Sequence, residues 1–278
     1  MRANARLPLF AAAGCWAAFL VVLVVAYVVG PAERLDAIAL HGLSALRGPW
    51  ADPFAHFATH LADPAPLLVL LVGVIAWGWA IGRRRQAIAA AALVGGANVA
   101  TQILKVALAH PRIQPALGPY QLGPEAFPSG HATAAMSLGL AAVLISPTRW
   151  RAIVASAATV YVIAVCTSIL VLSWHFPSDV LGGLLVASGF FFSVVAGLRA
   201  FADSERAPAL RTGAILTPRL LEAGMVALAG LGVLALARAE DLLTFARLHT
   251  MATAAALALM AIAAALLAAA ALVADEYP

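Results

Sequence analysis

An all-α fold, a polytopic membrane helical bundle of about eight transmembrane helices, is predicted by three observations. The composition is 63% hydrophobic and only 11% charged, where soluble domains carry roughly a quarter of charged residues. Mean hydropathy is +0.95. Windows at about 8–30, 66–82, 87–108, 131–146, 152–172, 179–198, 221–237 and 250–273 approach the roughly 20 apolar residues that span a hydrocarbon core about 30 Å thick. Positive charge is also uneven about these windows. With the N-terminus cytoplasmic, one side collects Arg2, Arg6, Arg83, Arg84, Arg85, Arg149, Arg151, Arg199, Arg206, Arg211 and Arg219. The other holds Arg34, Arg47, Lys105, Arg112, Arg238 and Arg247. That asymmetry predicts both termini inside.

Residues 1–30 begin basic and run apolar too long for a secretory signal, without a small-residue cleavage site, so they are expected to anchor the chain. Residues 31–64 interleave Leu35, Ile38, Leu40 and Leu43 with Glu33, Asp36 and His41, the pattern of an amphipathic segment in the membrane interface. His56 and His60 share a helical face near Asp52 and Asp63. With Trp50, Phe54 and Phe57 beside them, an aromatic interfacial belt is favoured over a metal site. Residues 31–198 form the six-span core together with the first anchor. Residues 199–220 read as a cytoplasmic linker, and 221–278 as a C-terminal transmembrane hairpin for packing or anchoring.

Net charge is +4 and the pI about 9.6, but the basic residues are dispersed, so no nucleic-acid surface is expected. Cys15 and Cys166 sit within apolar windows as small packing residues.

Ionisable residues at the membrane edge are costly, and those that gather on one side mark a site. Lys105 and Arg112 end the third window, His131 begins the fourth, and His175 and Asp179 lie between the fifth and sixth. Asn98 and Gln102 share the helical face of Lys105. The loop 109–130 carries Pro111, Pro115, Pro119, Pro124 and Pro128, so it cannot be one helix and is placed as a cover over the site. Lys105 and Arg112 suit a phosphoryl group, one as a point charge and one as a planar fork. Ser129 is placed to cap a helix whose free amides, exposed beside Gly130, face an anion. His175 and Asp179, four apart, suit an imidazole nucleophile and the carboxylate that orients it, with His131 as general acid.

These residues resemble the type 2 phosphatidic acid phosphatase family, the membrane branch of a superfamily that includes vanadium haloperoxidases and bacterial acid phosphatases. The family pattern is Lys, six residues, Arg-Pro; Pro-Ser-Gly-His; then Ser-Arg, five residues, His, three residues, Asp. The chain has Lys105 and Arg112 at that spacing, Pro128-Ser129-Gly130-His131 intact, and His175 with Asp179. The resemblance covers about residues 31–198. It departs at Ile113, which follows Arg112, and at Ile169, which stands where the third motif has arginine.

The resemblance implies an integral membrane phosphatase acting at the extracytoplasmic face on a lipid phosphate or polyprenyl pyrophosphate, in the plasma membrane. His175 would form a phosphohistidine, Asp179 orient it and His131 protonate the leaving oxygen, with phosphate held by Lys105, Arg112, Ser129 and Gly130. No cofactor or metal is implied. The missing arginine leaves three expectations: a neighbour such as His110 compensates, the substrate differs, or turnover is weak. In the last case the protein is a degenerate phospholipid binder. Phosphotransfer between lipids is a further alternative, and haloperoxidase chemistry, found in soluble relatives, is not expected.

Overall fold

The computed structural model describes residues 3–202 and 239–275. The helices are α1 (Ala3–Val28), α2 (Gly30–Ser44), α3 (Ala51–His60), α4 (Pro64–Ala80), α5 (Arg84–Ala107), α6 (Gly130–Ile145), α7 (Thr148–Val171), α8 (Pro177–Ala202), α9 (Ala239–Leu248) and α10 (Thr250–Asp275), with one 3-10 turn at Pro115–Leu117. No strand occurs among the described residues. Seven of the eight expected spans fall on described helices; the window 221–237 and most of the linker 199–220 lie outside the described residues.

Five described helices are long and apolar enough to cross a membrane: α1, α5, α7, α8 and α10. A sixth span is made if α3 and α4, bent by 58° at their break, count together. The bend leaves residues 61–63 as a corner between the two helices. α4 starts at Pro64, where the missing amide hydrogen costs no helical bond.

α6 is the hub. It packs against α4, α5, α7, α8 and α10, and its residues from Ala132 to Ala141 are all buried. At 16 residues it is about 24 Å long, short for a full span, but neighbours rather than lipid cover its sides. A helix apolar on every face is what such enclosure requires. α1 lies along α8, and α10 also packs on α2, where a Cβ at Gly42 would stand 2.7 Å from that of Ala252.

The two ends of the bundle differ chemically. At one end arginines cap helix C-termini: Arg83 and Arg151 donate to the Ser146 carbonyl at 3.2 and 2.9 Å, and Arg199 to that of Val273 at 2.6 Å. Arginines near exposed C-terminal carbonyls complement the helix dipole. The other end collects the C-termini of α5 and α7, the N-termini of α6 and α8, and the α3–α4 corner.

Candidate active site

α7 stops before the site in a tight turn. The Ser173 amide donates to the Leu170 carbonyl and that of Trp174 to the Ile169 carbonyl, both at 3.0 Å. Ser173 takes φ 57°, the left-handed conformation this pattern needs at its pivot. The reversal delivers Trp174 and His175 to the head of α8. Ile169 is fully buried in the apolar core.

α8 opens with Pro177, and Asp179 reaches back so that its Oδ2 accepts the Phe176 amide at 2.9 Å. A carboxylate at this helical position bonded to the cap residue's amide is one half of a capping box. Asp179 is therefore a capping acid and a site residue together. It is fully buried, its Oδ1 accepts from Arg112 Nη2, and His175 Nδ1 lies 3.4 Å from Oδ2 without completing a hydrogen bond. Such contacts tighten when ligand closes a site.

The middle motif is pinned to the last by backbone. The Ser129 amide donates to the Asp179 carbonyl at 2.9 Å, and Ser129 Oγ caps α6 by accepting the Ala132 amide. Thr133 Oγ1 donates toward the Ser129 and Gly183 carbonyls at 3.0 and 3.3 Å. This crossing is close because residue 183 is glycine. A Cβ there would lie 2.6 Å from the Ser129 carbonyl oxygen and 3.1 Å from the Thr133 nitrogen. Gly183→Ala should thus push α8 off the α6 cap at a cost of about 1–3 kcal/mol. A lowered thermal midpoint for Gly183→Ala, with Gly197→Ala unchanged where nothing lies within 4 Å, checks it; equal midpoints would reject it.

Arg112 reaches the cluster from the loop after α5 and is 6% exposed. Its Nη1 donates to Ser178 Oγ at 3.0 Å and lies 3.5 Å from Asp36 Oδ2 on α2. The guanidinium also stacks 4.2 Å above the Phe176 ring and 5.4 Å from that of Tyr27. Asp36 takes the Ser178 amide at 3.0 Å and its hydroxyl. Burial pushes the Asp36 carboxyl up to about 6, with the Ser178 bonds acting against that and Asp179 adding to it.

On the other flank, Lys105, Gly130 and His131 line a cavity of about 480 Å³ with Asn98 and Gln102. Its remaining wall is apolar, formed by residues such as Leu67, Leu71 and Val94, and it includes Leu68 and Val99, both 61% exposed. The cavity therefore runs from polar groups at the site to the lateral face of α4 and α5. His131 Nε2 lies 3.0 Å from Asp63 Oδ1, and Trp174 stacks at 5.5 Å. His110 packs on Tyr27 at 5.2 Å, with its amide bonded to Pro124.

Residues 86–202 match the model of the PAP2 superfamily. The match is confined to that stretch, less than half of the chain. The fold is similar to the crystal structure of a transmembrane PAP2-type phosphatidylglycerolphosphate phosphatase from Bacillus subtilis, with a TM-score of 0.60 and 21% identity over 72% of this chain and 100% of that one. No curated protein matches the sequence. Within the PAP2 region lie all six charged or hydroxyl-bearing residues singled out from the sequence, Lys105, Arg112, Ser129, His131, His175 and Asp179, and so does Ile169.

The structure adds Asp36, Asp63 and Ser178, and the first two lie outside the PAP2 region. Asp36 read as one polar residue of an interfacial helix, and Asp63 as a weak metal candidate. The available signal was that each is an acid in a segment expected on the same side as the motifs. What each touches depends on how α2 and the α3–α4 corner fold over the bundle end.

Proposed function

We propose that the protein is a membrane lipid phosphatase that hydrolyses a lipid phosphate monoester or pyrophosphate through a phosphohistidine at His175. The observation that carries this reading is the convergence of His175, Asp179 and His131 on one bundle end, beside a cavity that is polar at its head and apolar along its wall. A phosphate head group with an acyl or prenyl tail matches both halves.

His175 attacks phosphorus and the bond to the lipid oxygen breaks; His131 gives that oxygen its proton. Water then attacks the phosphohistidine and returns a proton to His131, and inorganic phosphate leaves. Asp179 holds the His175 tautomer. Lys105, Arg112, Ser129 and the amide end of α6 at Gly130 stabilise charge on the transferring group. The arginine-rich opposite end supports placing that end in the cytoplasm and the site on the extracytoplasmic face, in what we take to be a plasma membrane.

Ile169 favours a second reading, a phospholipid binder with weak turnover, since a lost charge-assisted contact costs on the order of 100-fold in rate. The test is phosphate release by the purified full chain in detergent or lipid, with chelator present, on polyprenyl pyrophosphate, phosphatidic acid and phosphatidylglycerol phosphate. Release from one or more lipids is expected. Binding to phospholipid without release from any of them would select the second reading, and acceptor-dependent formation of a new phospholipid would select phosphotransfer.

A further inference from the structure

We infer that Asp63, at the α3–α4 corner, is a positioning residue that fixes the tautomer and protonation of His131, with His60 as its outer partner. The inference rests on the phosphatase reading and deepens it. Asp63 Oδ1 lies 3.0 Å from His131 Nε2, while Oδ2 lies 2.8 Å from His60 Nδ1. The chain His60–Asp63–His131 thus runs from an imidazole whose side chain is 66% exposed to one that is 26% exposed. An ionised carboxylate only accepts, so the His131 nitrogen facing it carries the hydrogen. Nε2 is occupied in this way, and Nδ1 is the nitrogen left for the leaving oxygen.

The carboxylate matters there because a cation faces His131 from the same cavity. The ammonium of Lys105 on α5 lines that cavity, and His175, which attacks as the neutral imidazole, approaches His131 from the head of α8. Asp63 and, beyond it, His60 face it from the corner and from α3. Asp63 is the anion that acts against Lys105 and favours the protonated imidazole. Trp174 packs on the ring at 5.5 Å and is itself met by His56 at 6.0 Å, so face and edge are both held. The proton balance closes on His131: Nδ1 gives its proton to the lipid alkoxide in the first step and takes one from water in the second. Nε2–H stays on Asp63 throughout.

A residue that acts through the general acid must matter most where the leaving group needs a proton. The experiment compares the full-length Asp63→Asn protein with the unsubstituted one on two esters, dioctanoyl phosphatidic acid, which releases an alcohol, and p-nitrophenyl phosphate, which releases a stable phenolate. For Asp63→Asn, kcat on the alkyl ester is expected to fall about 10-fold, with the aryl ester within about twofold, because acid catalysis contributes only to the poor leaving group. The basic limb of the alkyl pH profile moves to lower pH, because His131 loses its anion. The aryl reaction also reports that the variant is folded. Equal losses on both esters, or no loss on either, would overturn the inference while leaving the phosphatase reading intact. An unsubstituted protein inactive on both esters, and on polyprenyl pyrophosphate and phosphatidylglycerol phosphate as well, would remove that reading and the inference with it.

Discussion

Replacing His175 with alanine is expected to lower phosphate release from any lipid substrate by about a thousandfold or more, the scale on which loss of a covalent nucleophile acts. The substitution should leave the fold in place. His175 Nδ1 completes no hydrogen bond, and Asp179 keeps its bonds to Arg112 and to the Phe176 amide. A rapid-quench experiment with radiolabelled lipid phosphate separates the chemistry from folding. The unsubstituted protein should trap label as an acid-labile, base-stable adduct and His175→Ala should trap none. Labelling that persists in the variant would place the nucleophile elsewhere.

Arg112→Ala has the second large effect, and it acts on stability as well as on turnover. Arg112 is the cation between two carboxylates, Asp179 and Asp36, whose side chains are 0% and 11% exposed. Removing one partner of a buried pair costs about 3–5 kcal/mol, chiefly because the remaining charge stays buried. The pH dependence follows from Asp36, whose carboxyl is raised from 3.8 to about 6. A raised carboxyl contributes stability that is fully present below its ordinary pKa and is lost as pH rises through the folded value. The penalty of Arg112→Ala should therefore be smaller at pH 5, where Asp36 is mostly protonated, than at pH 8. Thermal midpoints of the detergent-solubilised protein at both pH values measure this. The double substitution Arg112→Ala with Asp36→Asn should recover part of the loss at pH 8. A penalty independent of pH, or a double variant no better than the single one, would mean that the cluster is not held by charge.

On the proposed reading, a substrate phosphate would have to compete with acids for Arg112. Its guanidinium spends donors on Asp179, Ser178 and Asp36, so an arriving phosphate meets a fork already aligned by two acids. A fork held in place loses less freedom when it binds an oxyanion. The same arrangement lowers the net positive charge of a site in which Ile169 already supplies no cation.

The sequence alone determined that the chain is a helical membrane bundle, because the windows that must be apolar in lipid are contiguous along the chain. It also nominated the residues of the candidate site, because three short motifs place Lys105, Arg112, Ser129, His131, His175 and Asp179 at helix ends or in the loops just beyond them. Each motif is local: Asp179 caps the helix that begins beside His175, and Ser129 caps the one that begins at Gly130. What holds those motifs was not legible. Asp36 meets Ser178 across 142 positions and Asp63 meets His131 across 68. No periodicity ties one carboxylate to a partner so far along the chain. Only the tertiary structure decided that α6 is a short hub buried by its neighbours, that α8 crosses it at Gly183, and that α2 and the α3–α4 corner bring their acids over the bundle end. Those outcomes depend on which helices pack together, and burying a charge forces a partner wherever the packing happens to provide one.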